Sequence, residues 1–159
     1  MSDQTRSSAR STGTAGRPPG PARPPVVGSA RDLLATARRD LAVAMTTTVP
    51  AERYAAAHLA ALRTAAAVLA VRTRPTTTRR TRSVWALLPQ VAPELTEWAA
   101  FFAAGAGKRA AAEAGLSRAV TPREADDLLR DAQTFLALVE TTLGLAHQPV
   151  LPRLATRAS

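Results

Sequence analysis

Apolar residues recur every three or four positions through most of the chain between residues 29 and 143. This spacing is typical of amphipathic helices, and no segment shows the sustained two-residue alternation of a half-buried strand. The pattern therefore predicts an all-α fold. We expect an up-down bundle of four main helices, at about 29–46, 50–73, 83–104 and 121–143, with a short helical segment at 108–114.

Local signals predict where these helices begin and end. Ser29 is a suitable N-cap for the first helix, and Pro50 suits the first turn of the second. Pro93 is expected to break the third helix into pieces at 83–91 and 93–104. Gly105 and Gly107 are expected to weaken or interrupt it again before residue 108. The run Thr121-Pro122-Arg123-Glu124 forms a capping box and is the clearest local signal in the chain.

The apolar stripes predict which face of each helix is buried. In the second helix the stripe consists of Leu59, Leu62, Ala66 and Leu69. The third helix is the richest in aromatic residues and is expected to anchor the core, with Trp85, Trp98, Phe101 and Phe102. Both tryptophans lie at helical spacing with aliphatic partners, which favours core packing over stacking on nucleic-acid bases.

Composition changes at both ends of this helical region. Residues 1–28 consist mainly of Ser, Thr, Gly, Pro and Arg, and residues 145–159 return to a similar composition. Such segments contain too little apolar area to offset the entropy of ordering. The sequence thus predicts a disordered tail at 1–28, one helical domain at 29–144, and a C-terminal tail at 145–159.

The net charge of +9 is unevenly distributed. Residues 1–28 carry +3, residues 72–82 carry five arginines and no acid, and residues 144–159 carry +2, so the rest of the chain sums to −1. Flexible basic segments of this kind favour contact with a polyanion. The candidate residues for binding nucleic acid or another anion are Arg72, Arg74, Arg79, Arg80, Arg82, Lys108 and Arg109. A bias of composition toward arginine is the competing explanation, since 20 of the 21 basic residues are Arg.

Several classes of site are disfavoured. The chain has no cysteine and only two histidines, His58 and His147, and no helix has a Glu followed three residues later by a His. No metal or cofactor is therefore expected. Gly105-Ala106-Gly107-Lys108 lacks the spacing and the preceding strand of a phosphate-binding loop. No apolar run approaches the roughly 20 residues needed to cross a bilayer and the N-terminus is polar, so we expect no membrane segment and a cytoplasmic protein.

Three segments resemble a small actinobacterial branch of the HEPN superfamily (higher eukaryotes and prokaryotes nucleotide-binding). They are RYAAAHLAALRTAAAVLA at 53–70, SVWALLPQVAPEL and EWAAFFAAGAGKR within 83–109, and the helix at 121–143. The resemblance spans roughly residues 30–144 and rests on helix texture and order. It implies a helical bundle that often dimerises, and a family in which many members act on RNA while others bind nucleotides or partners only.

Nuclease members of that superfamily carry an Arg followed by four to six residues and a His, usually in the later half of the domain. The only formal match is Arg53 with His58, in the second helix. A separation of five residues corresponds to about 500° of helical rotation, so the two side chains are expected to point about 140° apart. The resemblance therefore implies that the nuclease centre is missing, and Arg53 and His58 remain weak catalytic candidates.

Three functional hypotheses follow from the sequence. The first is a non-catalytic HEPN-like binding or scaffold module, expected to be a homodimer, that contacts RNA, DNA or a nucleotide through its basic loops. The second is a metal-independent HEPN-type ribonuclease. The third is a protein-interaction subunit that uses its aromatic third helix or its small-residue second helix as the partner surface.

Overall fold

The computed structural model describes residues 26–73 and 83–146. Five α-helices account for most of these residues: α1 Val26–Thr46, α2 Pro50–Arg72, α3 Val84–Val91, α4 Thr96–Glu113 and α5 Pro122–Thr142. Two short 3-10 helices, Pro93–Leu95 and Ser117–Ala119, precede α4 and α5. No strand occurs in the described ranges, and the prediction of an all-α bundle is confirmed. The predicted disorder of the tails and the link at 74–82 concern residues outside the described ranges.

Helix α1 begins three residues earlier than predicted, so Ser29 lies inside the helix and is not its N-cap. The extension adds Val26, Val27 and Gly28, and Val27 is 48% exposed, so core packing does not account for it. A capping residue contributes only about 1 kcal/mol and is a weak signal for the exact start of a helix. At the other end the helix stops at Thr46, as predicted.

Helix α2 is the central element and packs against all four other helices. Its predicted leucine stripe is wrong: Leu59, Leu62, Ala66 and Leu69 are only half-buried. The buried face instead carries small residues, among them Ala57, Ala60, Ala61, Thr64, Ala65 and Ala67. A helix surrounded by neighbours has no single apolar face, and small side chains let those neighbours approach closely.

Helix α2 is also relevant to the expectation that the chain contains no segment able to cross a membrane. Helix α2 is long and apolar enough to do so by length and composition, with a mean hydropathy of 1.5 over its most apolar window. Half of that window is buried inside the bundle. Burial of this kind is also found in the core helix of a soluble protein, so length and composition are weak grounds for a membrane span.

The break predicted at Pro93 is confirmed, because α3 ends at Val91 and α4 starts only at Thr96. The predicted interruption at Gly105 and Gly107 is wrong: α4 runs through both glycines, and the separate segment at 108–114 is its C-terminal part. A glycine within a helix costs only about 1 kcal/mol relative to alanine, which packing can offset. The helix ends before Gly115, whose φ of +81° suits glycine at this position.

Helix α5 has the predicted capping box. The Thr121 side chain accepts from the Glu124 backbone N–H, and the Glu124 carboxylate accepts from the Thr121 backbone N–H at 2.8 Å. Its apolar face packs into the core as expected, with Ala125, Leu128, Ala132, Phe135, Leu136 and Val139 all buried. This helix thereby closes the bundle against α2 and α1.

Four aromatic rings form the centre of the core. Trp85 stacks on Phe102 with ring centroids 5.3 Å apart, and Trp98 lies 5.3 Å from Phe135. Phe102 and Phe135 also contact each other at 5.3 Å. The predicted packing role of both tryptophans is confirmed. Phe101 differs from the expectation, because 46% of it is exposed to solvent.

Candidate functional site

His58 is buried in the core, with 1% of its surface exposed. Its ring packs edge-on against Trp85 of α3 and Phe102 of α4. The Nε2 atom lies 2.8 Å from the backbone carbonyl oxygen of Phe102. Because a carbonyl can only accept, Nε2 carries the proton, and the buried Nδ1 has no hydrogen-bond partner among the described residues. Burial lowers the pKa of His58 below its ordinary value, so the imidazole is held neutral.

Helix α4 approaches α2 closely at Gly105, next to His58. A Cβ atom at Gly105 would lie 2.8 Å from the Tyr54 hydroxyl oxygen and 3.4 Å from Cδ2 of His58. Glycine is thus favoured here by the proximity of the Tyr54 and His58 side chains, and not by an unusual backbone dihedral. A Cβ atom added at Gly107, two residues further along α4, would have no neighbouring atom within 4 Å.

Arg53 faces a different part of the bundle from His58. Its guanidinium pairs with Asp126 of α5 and donates to the backbone carbonyl of Thr47 at 2.8 Å. The two candidate catalytic residues therefore share no partner, as expected from their separation around the helix. An arginine and a histidine turned toward separate helices cannot act together on one phosphate within a single copy of the chain.

Three of the predicted anion-binding residues lie in the described ranges, and each contacts an acid. Arg72 pairs with Glu94, and Lys108 pairs with Glu124. Arg109 lies 3.6 Å from Glu113, one turn along the same helix. These ion pairs reduce the positive charge that the helical body offers to a phosphate. Arg74, Arg79, Arg80 and Arg82 lie outside the described residues.

The Lys108–Glu124 pair joins α4 to the start of α5. The hydrogen bond from Lys108 and those from the backbone and hydroxyl of Thr121 lower the pKa of Glu124 to about 2. The same carboxylate therefore caps α5 and binds the lysine. The structure thus gives Lys108 a role in joining two helices, which the sequence had suggested only as a contact for anions.

A cavity of about 470 Å³ lies between α2, α4 and α5 beside this ion pair. Tyr54, Phe101 and Asp131 line it together with the Lys108–Glu124 pair. None of the first three was predicted as a site residue, because they come from three helices that are distant in sequence. One signal was available: Asp127 and Asp131 are like charges one helical turn apart, an arrangement that is unfavourable without a partner.

No group of three or more potential metal ligands occurs within residues 26–73 and 83–146. The two histidines are far apart in sequence, and His147 lies beyond the described residues. The adjacent acidic side chains Asp126 and Asp127 of α5 have separate partners. Asp126 pairs with Arg53, whereas Asp127 pairs with Arg130 and lies 3.7 Å from Arg123.

Comparison with known proteins agrees with this architecture. The family model for HEPN_SAV_6107-like HEPN matches residues 44–140, which is more than half of the chain. The match extends from the end of α1 almost to the end of α5, so it contains the whole cavity and the His58 environment. No curated protein and no solved structure matches the chain. On the strength of this match, the chain belongs to the HEPN_SAV_6107-like HEPN family.

Proposed function

We propose that the chain is a non-catalytic HEPN-like binding module that contacts the phosphates of nucleic acid or a nucleotide through its basic link at 72–82, and that it acts as a homodimer. The main observation that argues against catalysis is the burial of His58. This histidine belongs to the only Arg–His pair of suitable spacing in the sequence. The family match supports the fold, and the charge distribution supports the choice of ligand.

The surroundings of His58 argue against general acid–base chemistry. A catalytic histidine must come within about 3 Å of the proton that it transfers, directly or through one water. The Nε2 atom of His58 already donates a hydrogen bond to the backbone carbonyl of Phe102, and aromatic side chains pack against the ring. Its pKa, lowered by burial, also makes it a poor proton donor near neutral pH.

The distribution of charge supports the choice of the link. Arg72, Lys108 and Arg109 are engaged by acids, and the helical body is nearly neutral. The four arginines at 74, 79, 80 and 82 have no acidic residue among them in the sequence. Arginines in such a segment contact phosphates and position a nucleic acid without reading its bases.

Catalysis is tested by incubating the purified chain with several single-stranded and structured RNAs in EDTA. We expect the same slow background degradation from the wild type and from the variant His58→Ala. Cleavage by the wild type that His58→Ala or Arg53→Ala abolishes would contradict the proposal and favour the metal-independent ribonuclease. Circular dichroism must show that the variants remain helical, because His58 is a core residue.

Binding is tested by titrating a fluorescent RNA at several salt concentrations. The triple variant Arg79→Ala, Arg80→Ala and Arg82→Ala should bind more weakly, and its slope of log affinity against log salt should be shallower by about 2. The matched control replaces Arg31, Arg118 and Arg123, which are exposed on the helical body, and changes the net charge equally. If the two triple variants bind alike, the link is not the contact. If the wild type binds no RNA even at low salt, a protein-interaction role is favoured.

A further inference from the structure

The cavity between α2, α4 and α5 presents two facing stripes of side chains. Phe101 and Lys108 are seven residues apart on α4, so they lie on one face of that helix. Glu124, Asp127 and Asp131 recur at three- and four-residue spacing on α5, so they also share a face. The volume of about 470 Å³ is within the range of small-ligand sites and is ample for a side chain or a small metabolite.

Asp131 is the carboxylate of this cavity that forms no ion pair with another described residue. Glu124 pairs with Lys108, and Asp127 pairs with Arg130. Asp131 makes no ion pair with any residue in the described ranges, although it is half-buried. Burial and the nearby Asp127 carboxylate raise the pKa of Asp131 above its ordinary value, and the Arg130 guanidinium offsets only part of this rise. The negative charge is therefore unfavourable at this point unless a cation approaches it.

Tyr54 supplies a second and independent feature. It is only 6% exposed, yet its hydroxyl forms no hydrogen bond with another described residue. The hydroxyl lies close enough to Lys108 and Glu124, which also line the cavity, for their charges to influence its pKa. Burial raises the pKa of Tyr54, so the phenol stays neutral and can accept a hydrogen bond. The side chain is largely buried, and its hydroxyl at the cavity wall, with no partner among the described residues, is available to bind water or a ligand.

Phe101 completes the chemistry. Its ring is 46% exposed at the edge of the cavity, while the neighbouring Phe102 is fully buried. The face of an aromatic ring attracts ammonium and guanidinium groups, particularly when a carboxylate is close by. Leu128 adds apolar surface from α5. These features fit a ligand with a cationic head and a short alkyl chain.

We propose that this cavity binds an organic cation, either an alkylammonium or an alkylguanidinium group. The cationic head lies against Asp131, donates a hydrogen bond to the Tyr54 hydroxyl and contacts the ring of Phe101. The carboxylates of α5 repel phosphate, so the site is distinct from the nucleic-acid contact proposed for the link. Two sources supply this chemistry: a free amine or guanidine, and an arginine or lysine side chain of a polypeptide.

The charge requirement is tested with two probes of equal shape. Butylguanidinium carries the charge, whereas butylurea is its neutral analogue. Each is titrated into the ¹⁵N-labelled chain while amide shifts are followed by NMR. We expect saturable shifts around Tyr54, Phe101 and Asp131 with butylguanidinium, with a Kd of about a millimolar, as is usual for so small a ligand. Equal binding of butylurea, or shifts centred elsewhere in the chain, would overturn the proposal.

The residues are tested by two conservative variants. Asp131→Asn removes the charge at constant shape and should weaken butylguanidinium binding by about tenfold, and Tyr54→Phe should weaken it by about threefold. The control Asp32→Asn makes the same change on α1, where the side chain is exposed, and should bind as the wild type does. If Asp131→Asn also binds as the wild type does, the proposal is wrong. Unchanged amide spectra outside the cavity establish that the variants are folded.

A further comparison distinguishes the two sources of the cation. Agmatine represents a free guanidine, and a capped Ala-Arg-Ala peptide represents an arginine side chain. The site is supported if agmatine or the peptide binds the wild type and this binding is lost in Asp131→Asn. The ligand that binds more tightly indicates the source of the cation. If neither binds, the proposal is overturned, whereas the nucleic-acid proposal is unaffected because it concerns a different segment.

Discussion

The Nε2 atom of His58 donates a hydrogen bond to the backbone carbonyl oxygen of Phe102, 2.8 Å away on the neighbouring helix. This contact joins the central helix α2 to α4 at the aromatic core. It also makes the histidine part of the packing between the two helices. We make four predictions, from this contact, from the helix packing around it and from the Lys108–Glu124 pair.

The first prediction concerns the pH dependence of stability. Burial lowers the pKa of His58 in the folded state, so below pH 6.5 the unfolded chain binds more protons than the folded one. Stability should fall as the pH drops below about 6.5, by up to about 1.4 kcal/mol per pH unit, until the pH reaches the lowered folded pKa. Urea unfolding between pH 8 and pH 5 measures this slope.

Two variants assign that slope to one residue. His58→Gln retains a side-chain donor for the Phe102 carbonyl and removes the titrating group, so its stability should vary less over this range. His147→Gln removes the only other histidine of the chain and should leave the slope as it is in the wild type. A slope that persists in His58→Gln would mean that another group titrates.

The second prediction concerns the two glycines of α4. Gly105→Ala places a Cβ atom 2.8 Å from the Tyr54 hydroxyl oxygen and should destabilise the fold by about 1–3 kcal/mol. Gly107→Ala meets no atom within 4 Å and should stabilise the helix by about 0.5–1 kcal/mol. Adding Tyr54→Phe to Gly105→Ala removes the clashing oxygen and should recover part of the loss. Thermal unfolding of the three proteins measures the effect, and equal effects at the two glycines would refute the close approach.

The third prediction concerns the small-residue face of α2. Ala61 has no exposed surface and lies within the core, so Ala61→Leu forces neighbouring helices apart and should cost about 1–3 kcal/mol or more. Ala104→Leu makes the same change at an exposed position of α4 and should alter stability by less than about 0.5 kcal/mol. Urea unfolding of both variants provides the comparison. A tolerated leucine at position 61 would show that α2 is less tightly surrounded.

The fourth prediction concerns Glu124. Its lowered pKa means that the ionised carboxylate stabilises the fold above the ordinary value of 4.5, and that this contribution disappears as the pH falls toward about 2. Glu124→Gln keeps a residue suited to the capping box and removes the charge. The variant should be less stable than the wild type at pH 7, and the difference should shrink at pH 3. Glu97→Gln, at an exposed position of α4, should show no comparable change.

Much of the fold could be predicted because its signals are local. Helical periodicity, the breaks at Pro50 and Pro93 and the capping box at Thr121 each depend on a few neighbouring residues. The structure has these features where they were expected. Two of the local signals that failed, the N-cap at Ser29 and the glycine break in α4, are weak preferences of about 1 kcal/mol. Packing energies of core side chains exceed them.

The sequence by itself determined the helical class, most helix ends, the family resemblance and the separation of Arg53 from His58 around α2. Only the tertiary structure decided that α2 is buried through its alanines, that His58 lies in the core and that Lys108 pairs with Glu124. It also brought Tyr54, Phe101 and Asp131 to one cavity. The physical reason is that each of these outcomes depends on contacts between separate helices. Local periodicity specifies which face of a helix is apolar, but not which neighbour that face meets.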